Sequence, residues 1–411
     1  MSAVVTGLGV VSPGGIGVAD HWRSTLAGEL HVRPIEAFDA SDYATGIAGQ
    51  VAGFRSSDHI DERLAVQTDR WTWMALAAAQ MALDDASYDP AAHDPYDTAV
   101  VLGSGAGGVE FGQREIQALW ARGRKAVSAY QSIAWFYAAS TGQVSIRQGT
   151  KGPSSVLVSD GAGGLDSVGY ARRVIRRGTP TVLAGGTEAP LCPYSLACQT
   201  ANDRLTASRN PRLGYKPFDV AANGYAPGEG GAVLVVEEAA AAAERGAPQV
   251  YAEVAGYAAT HDAHHHREPA PDGYYLSRAM VRALADAGLT PDDVDLVVAD
   301  AAGAPDLDTR EAQAIHATFG ARTSQVPVTA PQGYIGRLCA GGSALSLVNA
   351  VLAMRDGIVP AVGNLDDPAD YGLDLVREPR RQPVDVVLVN ARGYGGFNSA
   401  IVLRRPQGDR T

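Results

Sequence analysis

Two stretches of this chain are variants of one strand–turn–helix unit, and that repetition limits the possible fold more than any other feature. Residues 161–178 read GAGGLDSVGYARRVIRRG, and residues 339–357 read CAGGSALSLVNAVLAMRDG. Each follows a strand-like run, carries Ala-Gly-Gly near its start and continues as an apolar-faced helix. Each stops at a glycine suited to the position just past a helix end. One such unit per half implies duplication of a single α/β unit. The rest of the chain agrees. Strand-like runs AVVTGLG, TAVVLGSG, VLVSD, TVLAGG, AVLVVE, VDLVVAD, PVTAP and VDVVLVN alternate with Ala-rich helical stretches, one of them near 69–87. That alternation predicts an α/β protein with central sheets covered by helices. With 411 residues there is chain enough for two domains. EEAAAAAERGAPQ, residues 237–249, is the expected join, giving halves 1–240 and 241–411.

Charge and cysteine content remove several function classes. The 34 basic and 45 acidic residues leave a net charge of −11, which argues against a nucleic-acid partner that would need a clustered positive field. Arg172, Arg173, Arg176 and Arg177 recur at helical spacing and read as one solvated helix face. Cys192, Cys198 and Cys339 are too few and too irregular for a disulfide framework or a zinc site. No apolar run reaches the ~20 residues of a membrane span. MSAVVTGLGVVSP reads as a strand and turn, not an export signal, so the cytoplasm is the expected location.

The stretch VSDGAGGLD, 158–166, has the form of a nucleophile turn. A strand, PSSVLV, runs into small residues and then a helix, whose N-terminus favours an anion. Yet the residue at its tip, Gly161, has no side chain to present.

These residues resemble the ketosynthases of the thiolase fold, over nearly the whole chain. AVVTGLGVVSPGG is similar to that family's opening, and YKPFDVAANGYAPGEGGAVLVVEE to its RPFD…GEGAGVLVLE segment. HDAHHHREPAPDG resembles its histidine-bearing loop, and ARGYGGFNSAIVLRR its closing GFGG-N stretch. The resemblance implies a thiolase-like fold, with duplicated βαβαβ halves in a layered α-β-α-β-α sandwich. It also implies four catalytic positions, and all four are changed. Gly161 replaces the nucleophilic Cys, and Ala302 the first His, with two residues fewer before Glu311. Gln332 replaces the Lys, and Arg337 the second His. Condensation needs a thiolate to hold the acyl chain and imidazole donors for the enolate and oxyanion. Glycine forms no thioester, alanine donates nothing and arginine is a permanent cation. No catalytic residues are therefore expected in this chain.

One branch of the family combines this fold with a lost nucleophile: the chain length factors, or ketosynthase β subunits, of bacterial type II polyketide synthases. VSDGAGGLD, DAAGAPDLD, GRL and ARGYGGFNSA are similar to its signatures. Its usual residues at positions 161 and 332 are Gln and Lys, and this chain departs from both. Membership implies a heterodimer with a catalytic ketosynthase α subunit, served by an acyl carrier protein that carries malonyl units and the growing acyl chain. No cofactor and no membrane are implied. Membership also implies a tunnel at the interface whose closure sets polyketide length, with Val109, Gly112, Ile116, Ile133 and Tyr194 along it. In GGVEFGQREIQALWARG the first three share one helix face. Gly112 is expected to leave a gap there, or else to admit another element at close range. The helix after Gly161 and the run TPTVLAGGTEAP, 179–190, are expected at the subunit interface. Aromatic and reduced polyene products both stay open.

Three other readings compete. Gly103, Gly105 and Gly108 form a G-x-G-x-x-G after a strand, as in a dinucleotide-binding oxidoreductase, but no acidic residue follows ~20 positions on. Cys339 stands where the internal repeat places Gly161 and could serve as a relocated nucleophile in a homodimeric acyltransferase. His261, His264, His265 and His266 invite a metal, yet Pro269 and Pro271 argue for a loop and no Cys completes a ligand set.

Overall fold

The computed structural model describes residues 1–406. Its main sheet path uses β1 (Ala3–Ser12), β2 (Thr98–Gly103), β3 (Ser154–Leu157), β4 (Thr181–Glu188), β5 (Gly230–Glu238) and β6 (Ala252–His261). It continues with β7 (Leu296–Val298), β8 (Pro327–Thr329), β9 (Asp374–Leu375), β10 (Val386–Gly393) and β11 (Phe397–Arg404). The order is β9-β8-β7-β10-β11-β6-β1-β5-β4-β2-β3.

The duplication is visible in that order. In β1 to β5 the spatial sequence is third, second, fourth, fifth, first, and β6, β7, β8, β10 and β11 repeat it. Orientations repeat as well. β2 runs parallel to β3 and β4, while β5 runs antiparallel to β4 and β1. β7 runs parallel to β8 and β10, and β11 antiparallel to β10 and β6. The two sets meet through one short antiparallel contact, Val4 with Glu253 and Val5 with Ala252.

Helices complete five layers. α1 (Arg70–Ala86) covers the outer face of the first set, where Met74, Ala78 and Ala82 pack with Val100, Leu102 and Val233. Gly7 and Gly9 of β1 let it approach closely, since a Cβ on either would strike the α1 backbone. α4 (Tyr274–Asp286) and α5 (Pro305–Phe319) cover the outer face of the second set. Between the sheets lie α3 (Gly163–Arg176) and α6 (Cys339–Asp356), the two helices of the internal repeat. α6 is apolar on nearly every side, as a helix buried between two sheets must be. Each fully buried Leu or Val there is worth about 1.5–3 kcal/mol of transfer free energy. A Cβ on Gly164 would run into the backbone of Ala340 and Ala344, and Ser343 Oγ accepts the Gly164 N–H at 3.1 Å. The two helix starts are thus packed directly on each other.

Three sequence expectations need correction. The run 179–190 was expected at a subunit interface, but β4 is wholly buried between β2 and β5. α3 is central for the same reason: its apolar face meets both sheets. The open edge is β3, with Ser154 and the adjoining Val158 exposed. Arg172 does not share a solvated face with its neighbours. It is buried, pairs with Asp286 and donates from Nη2 to the Ala255 carbonyl at 2.5 Å, whereas Arg173, Arg176 and Arg177 are exposed. Among the described residues no helix is long and apolar enough to cross a membrane.

Candidate functional site

The turn after β3 is tight. Asp160 adopts φ 48°, a left-handed conformation uncommon outside glycine, and its Oδ2 accepts the Tyr394 N–H at 2.8 Å. Gly161 follows, fully buried, just ahead of α3. The space where its side chain would stand is taken: a Cβ would fall 2.5 Å from the Arg392 carbonyl oxygen and 3.3 Å from Arg337 Nη2.

Arg337 is held by a carboxylate. Its Nη2 lies 3.1 and 3.2 Å from the two oxygens of Asp300 and donates to the Arg392 carbonyl at 3.1 Å. Arg392 Nε reaches Asp300 at 3.3 Å, and its Nη2 reaches Glu311 at 3.1 Å. Glu311 accepts the N–H groups of Asp300 and Ala301 at 2.7 and 2.8 Å. The four side chains form a neutral alternating set, the arrangement that makes buried charge tolerable. Burial alone would raise the Asp300 carboxyl, but the two guanidiniums hold it below the usual aspartate range. Gln332 donates to the carbonyls of Ala299 and Asp300, both at 2.7 Å. Ala302 is buried beside them and contributes no polar group.

The remaining cavity among Gly161, Gln332, Arg337 and Asn390 measures about 20 Å³. That is room for one water and not for an acyl group. Beside it opens a cleft of about 660 Å³ lined by Val109, Tyr137, Tyr194, Ala302, Arg337 and Cys339, among others. Asp160 also lines it. Cys339 begins α6 at φ 48°. Burial, with the Asp160 and Glu188 carboxylates, pushes its thiol well above the ordinary range, the opposite of an activated nucleophile.

The glycine-rich turn after β2 is also occupied by the chain itself. Buried Glu188 accepts the N–H of Gly105 and, at 3.2 Å, that of Ala106. The amides that would cradle a phosphate already hold the Glu188 carboxyl group. A Cβ on Gly108 would collide with Ala134, so that glycine serves close packing. The histidine loop is exposed at His264, His265 and His266, while the His261 ring packs edge-on against Phe397. Among the described residues no three His, Cys, Asp or Glu gather as metal ligands.

Comparison with known proteins supplies the family. Residues 2–242 match the beta-ketoacyl synthase N-terminal domain, and residues 251–366 match its C-terminal domain. The chain belongs to the beta-ketoacyl synthase family. It is 49% identical to the tetracenomycin polyketide synthase ketoacyl synthase beta subunit of Streptomyces glaucescens, over 98% of each chain. Among solved structures it is similar to the ishigamide ketosynthase/chain length factor, with TM-score 0.92 and 26% identity over 98% of this chain and 99% of that one. It is also similar to a chain from a type II polyketide synthase acyl-carrier protein in complex with its ketosynthase bound to the hexaketide. There the TM-score is 0.90 and the identity 27%, over 98% of this chain and 99% of that one.

Within this ketosynthase fold the five positions singled out from the sequence do not behave alike. α2 (Val109–Arg122) carries three of them. Val109 and Tyr194 line the large cleft, and Gln113 ties them together by accepting the Tyr194 N–H at 2.6 Å. Ile116 and Ile133 are exposed. Gly112 is buried and leaves no gap, because a Cβ there would stand 2.9 Å from Trp135 Cδ1. Close approach, the second reading of that glycine, is what the structure shows. Asp300, Arg392 and Trp135 were missed from the sequence. Arg392 lies within ARGYGGFNSA and Trp135 within the aromatic run WFY, but neither motif indicates a partner.

Proposed function

We propose that this chain is the non-catalytic half of a ketosynthase heterodimer and that it shapes the tunnel in which a partner builds a polyketide. The observation that carries the reading is the filled nucleophile position: Gly161 sits under the Arg392 carbonyl, with Arg337 locked to Asp300. Neither an acyl-enzyme nor an imidazole-like acid can form there. A ketosynthase α subunit would supply both, and an acyl carrier protein would deliver malonyl units and carry the growing chain. Val109, Gly112, Ile116, Ile133 and Tyr194 would border the tunnel, with residues 1–240 and 241–411 as the two pseudo-symmetric halves. The reading calls for no cofactor in this chain and places it in the cytoplasm.

What this subunit would contribute is shape. A reactive poly-β-keto chain cyclises freely in water, and an apolar enclosure excludes water and limits the chain's folds. The decisive experiment is reconstitution. The isolated chain should take up no acyl group from acyl- or malonyl-loaded carrier protein, whereas the complex with a Cys-bearing ketosynthase should make polyketide. Exchanging this subunit for a relative should change product length. Acylation of any residue in the isolated chain would sink the proposal.

A further inference from the structure

We infer that the pocket behind Gly161 is a binding site for one uncharged hydrogen-bond donor, a single water, held between the side-chain oxygens of Gln332 and Asn390. The inference concerns the filled site itself and does not depend on the tunnel reading. Both residues line the cavity of about 20 Å³. Both have their amide N–H groups committed to the chain: Gln332 to the Ala299 and Asp300 carbonyls, and Asn390 to the Glu311 carboxyl group. Those bonds fix which way each amide faces. A turned Gln332 would set oxygen against two carbonyl oxygens, and a turned Asn390 would set oxygen against Glu311. What each has left is its oxygen. The two oxygens are closed off from solvent, Asn390 being 3% exposed, and neither accepts a hydrogen bond from any of the described residues.

The hydroxyls around the pocket are turned elsewhere. Tyr215 donates to the Ala301 carbonyl at 2.8 Å, Ser343 to Ala340 at 3.2 Å and Ser346 to Gly342 at 3.1 Å. A buried acceptor left without a donor destabilises the fold, so the occupant must offer two N–H or O–H groups at once. It must also fit the space of one water. Charge decides the rest. Arg337 lines the same pocket, and Asp300, Glu311, Arg337 and Arg392 already balance. A cation would arrive beside a guanidinium with both carboxylates of that set taken. Water meets every condition. Through it Gln332, which holds the Asp300 backbone, is joined to Asn390, which holds Glu311. The plug under the lost nucleophile thus closes into a ring that ties the turn after β8 to β10.

A crystal structure of the protein that resolves ordered water tests this directly. One water-sized peak should lie within about 3.2 Å of both oxygens. The same crystals soaked in thallium(I) or rubidium should show no anomalous signal there. A signal would make the pocket a cation site and overturn the inference, and so would a pocket without density. A variant gives the energetic readout. Gly342 lies in α6 and lines the pocket, and the nearest atom to a new Cβ beyond the helix backbone is Leu338 Cβ at 3.7 Å. Helix propensity alone makes Gly342→Ala stabilising. If the methyl expels a needed water, Tm should instead fall by about 1–6 °C. Gly342→Ser, whose hydroxyl can donate in the water's place, should recover part of that loss. A Gly342→Ala protein that loses the density and melts no lower than the parent would show that the two oxygens need no donor, and the inference would fail.

Discussion

Restoring the missing nucleophile is the sharpest perturbation available, and Gly161→Cys should damage the fold without creating an enzyme. The new Cβ would fall 2.5 Å from the Arg392 carbonyl oxygen, about 1 Å inside ordinary contact. Arg392 cannot yield freely. Its N–H donates to Asp300 Oδ1 at 3.1 Å and its carbonyl accepts from Arg337 at 3.1 Å. Overpacking of this kind costs about 1–3 kcal/mol, and losing the hydrogen bond from a charged donor adds about 1.5–3 kcal/mol. The total is about 2.5–6 kcal/mol. Unfolding entropy near 2.1 cal/mol/K per residue makes each kcal/mol worth about 1.2 °C in a chain of this size, so Tm should fall by about 3–7 °C. Calorimetry of the purified protein reads this directly. A carrier-protein assay on the same samples should show no condensation, because Ala302, Gln332 and Arg337 supply no acid–base donor. An unchanged Tm, or condensation by the isolated variant, would refute the reasoning.

Other consequences follow from the buried charges and thiols. Burial raises the Glu188 carboxyl from the usual glutamate value of 4.5 to about 8. Between those values the folded chain holds more proton than the unfolded chain, so this group makes stability fall as pH rises from 4.5 to 8 and adds no slope above that. Glu188→Gln should therefore gain on the parent protein as pH rises through the window; parallel curves of urea stability against pH would contradict this. Asp69 and Asp308, each raised to about 7 by burial, act in the same direction in the parent. Arg337→Met leaves Asp300 short of one cation and should cost about 3–5 kcal/mol, with partial recovery on adding Asp300→Asn. Equal stability of the single and double variants, measured by denaturant melts, would remove that pair from the account. Limited alkylation near neutral pH should modify exposed Cys198 first. Burial pushes the Cys192 thiol up to about 11 and raises Cys339 as well. Peptide mapping that found Cys339 modified first would revive the relocated nucleophile.

Much of the architecture was legible because it is written in local patterns. The repeated Ala-Gly-Gly turn announced the duplication, and eight β-branched or small-residue runs marked strands of the two sheets. α1 at 70–86 lies within one residue of the helix expected near 69–87. β6 was not read as a strand, because AEVAGYAATH mixes Ala and Gly with polar residues and lacks a clean alternation. The losses at 161, 302, 332 and 337 were equally legible, since they are matters of residue chemistry: no environment gives glycine a thiol.

Tertiary structure alone decided what fills those positions. Gly161, Asp300, Glu311, Arg337 and Arg392 are scattered through the chain, and only the packing of the elements around α3 and α6 brings the glycine against one neutral cluster of four charges. The same holds for Gly112, whose side-chain space belongs to Trp135. A run of sequence states which groups it carries and how they repeat along a helix or strand. Which volume is empty depends on what another segment puts there, and that is a property of the packed molecule.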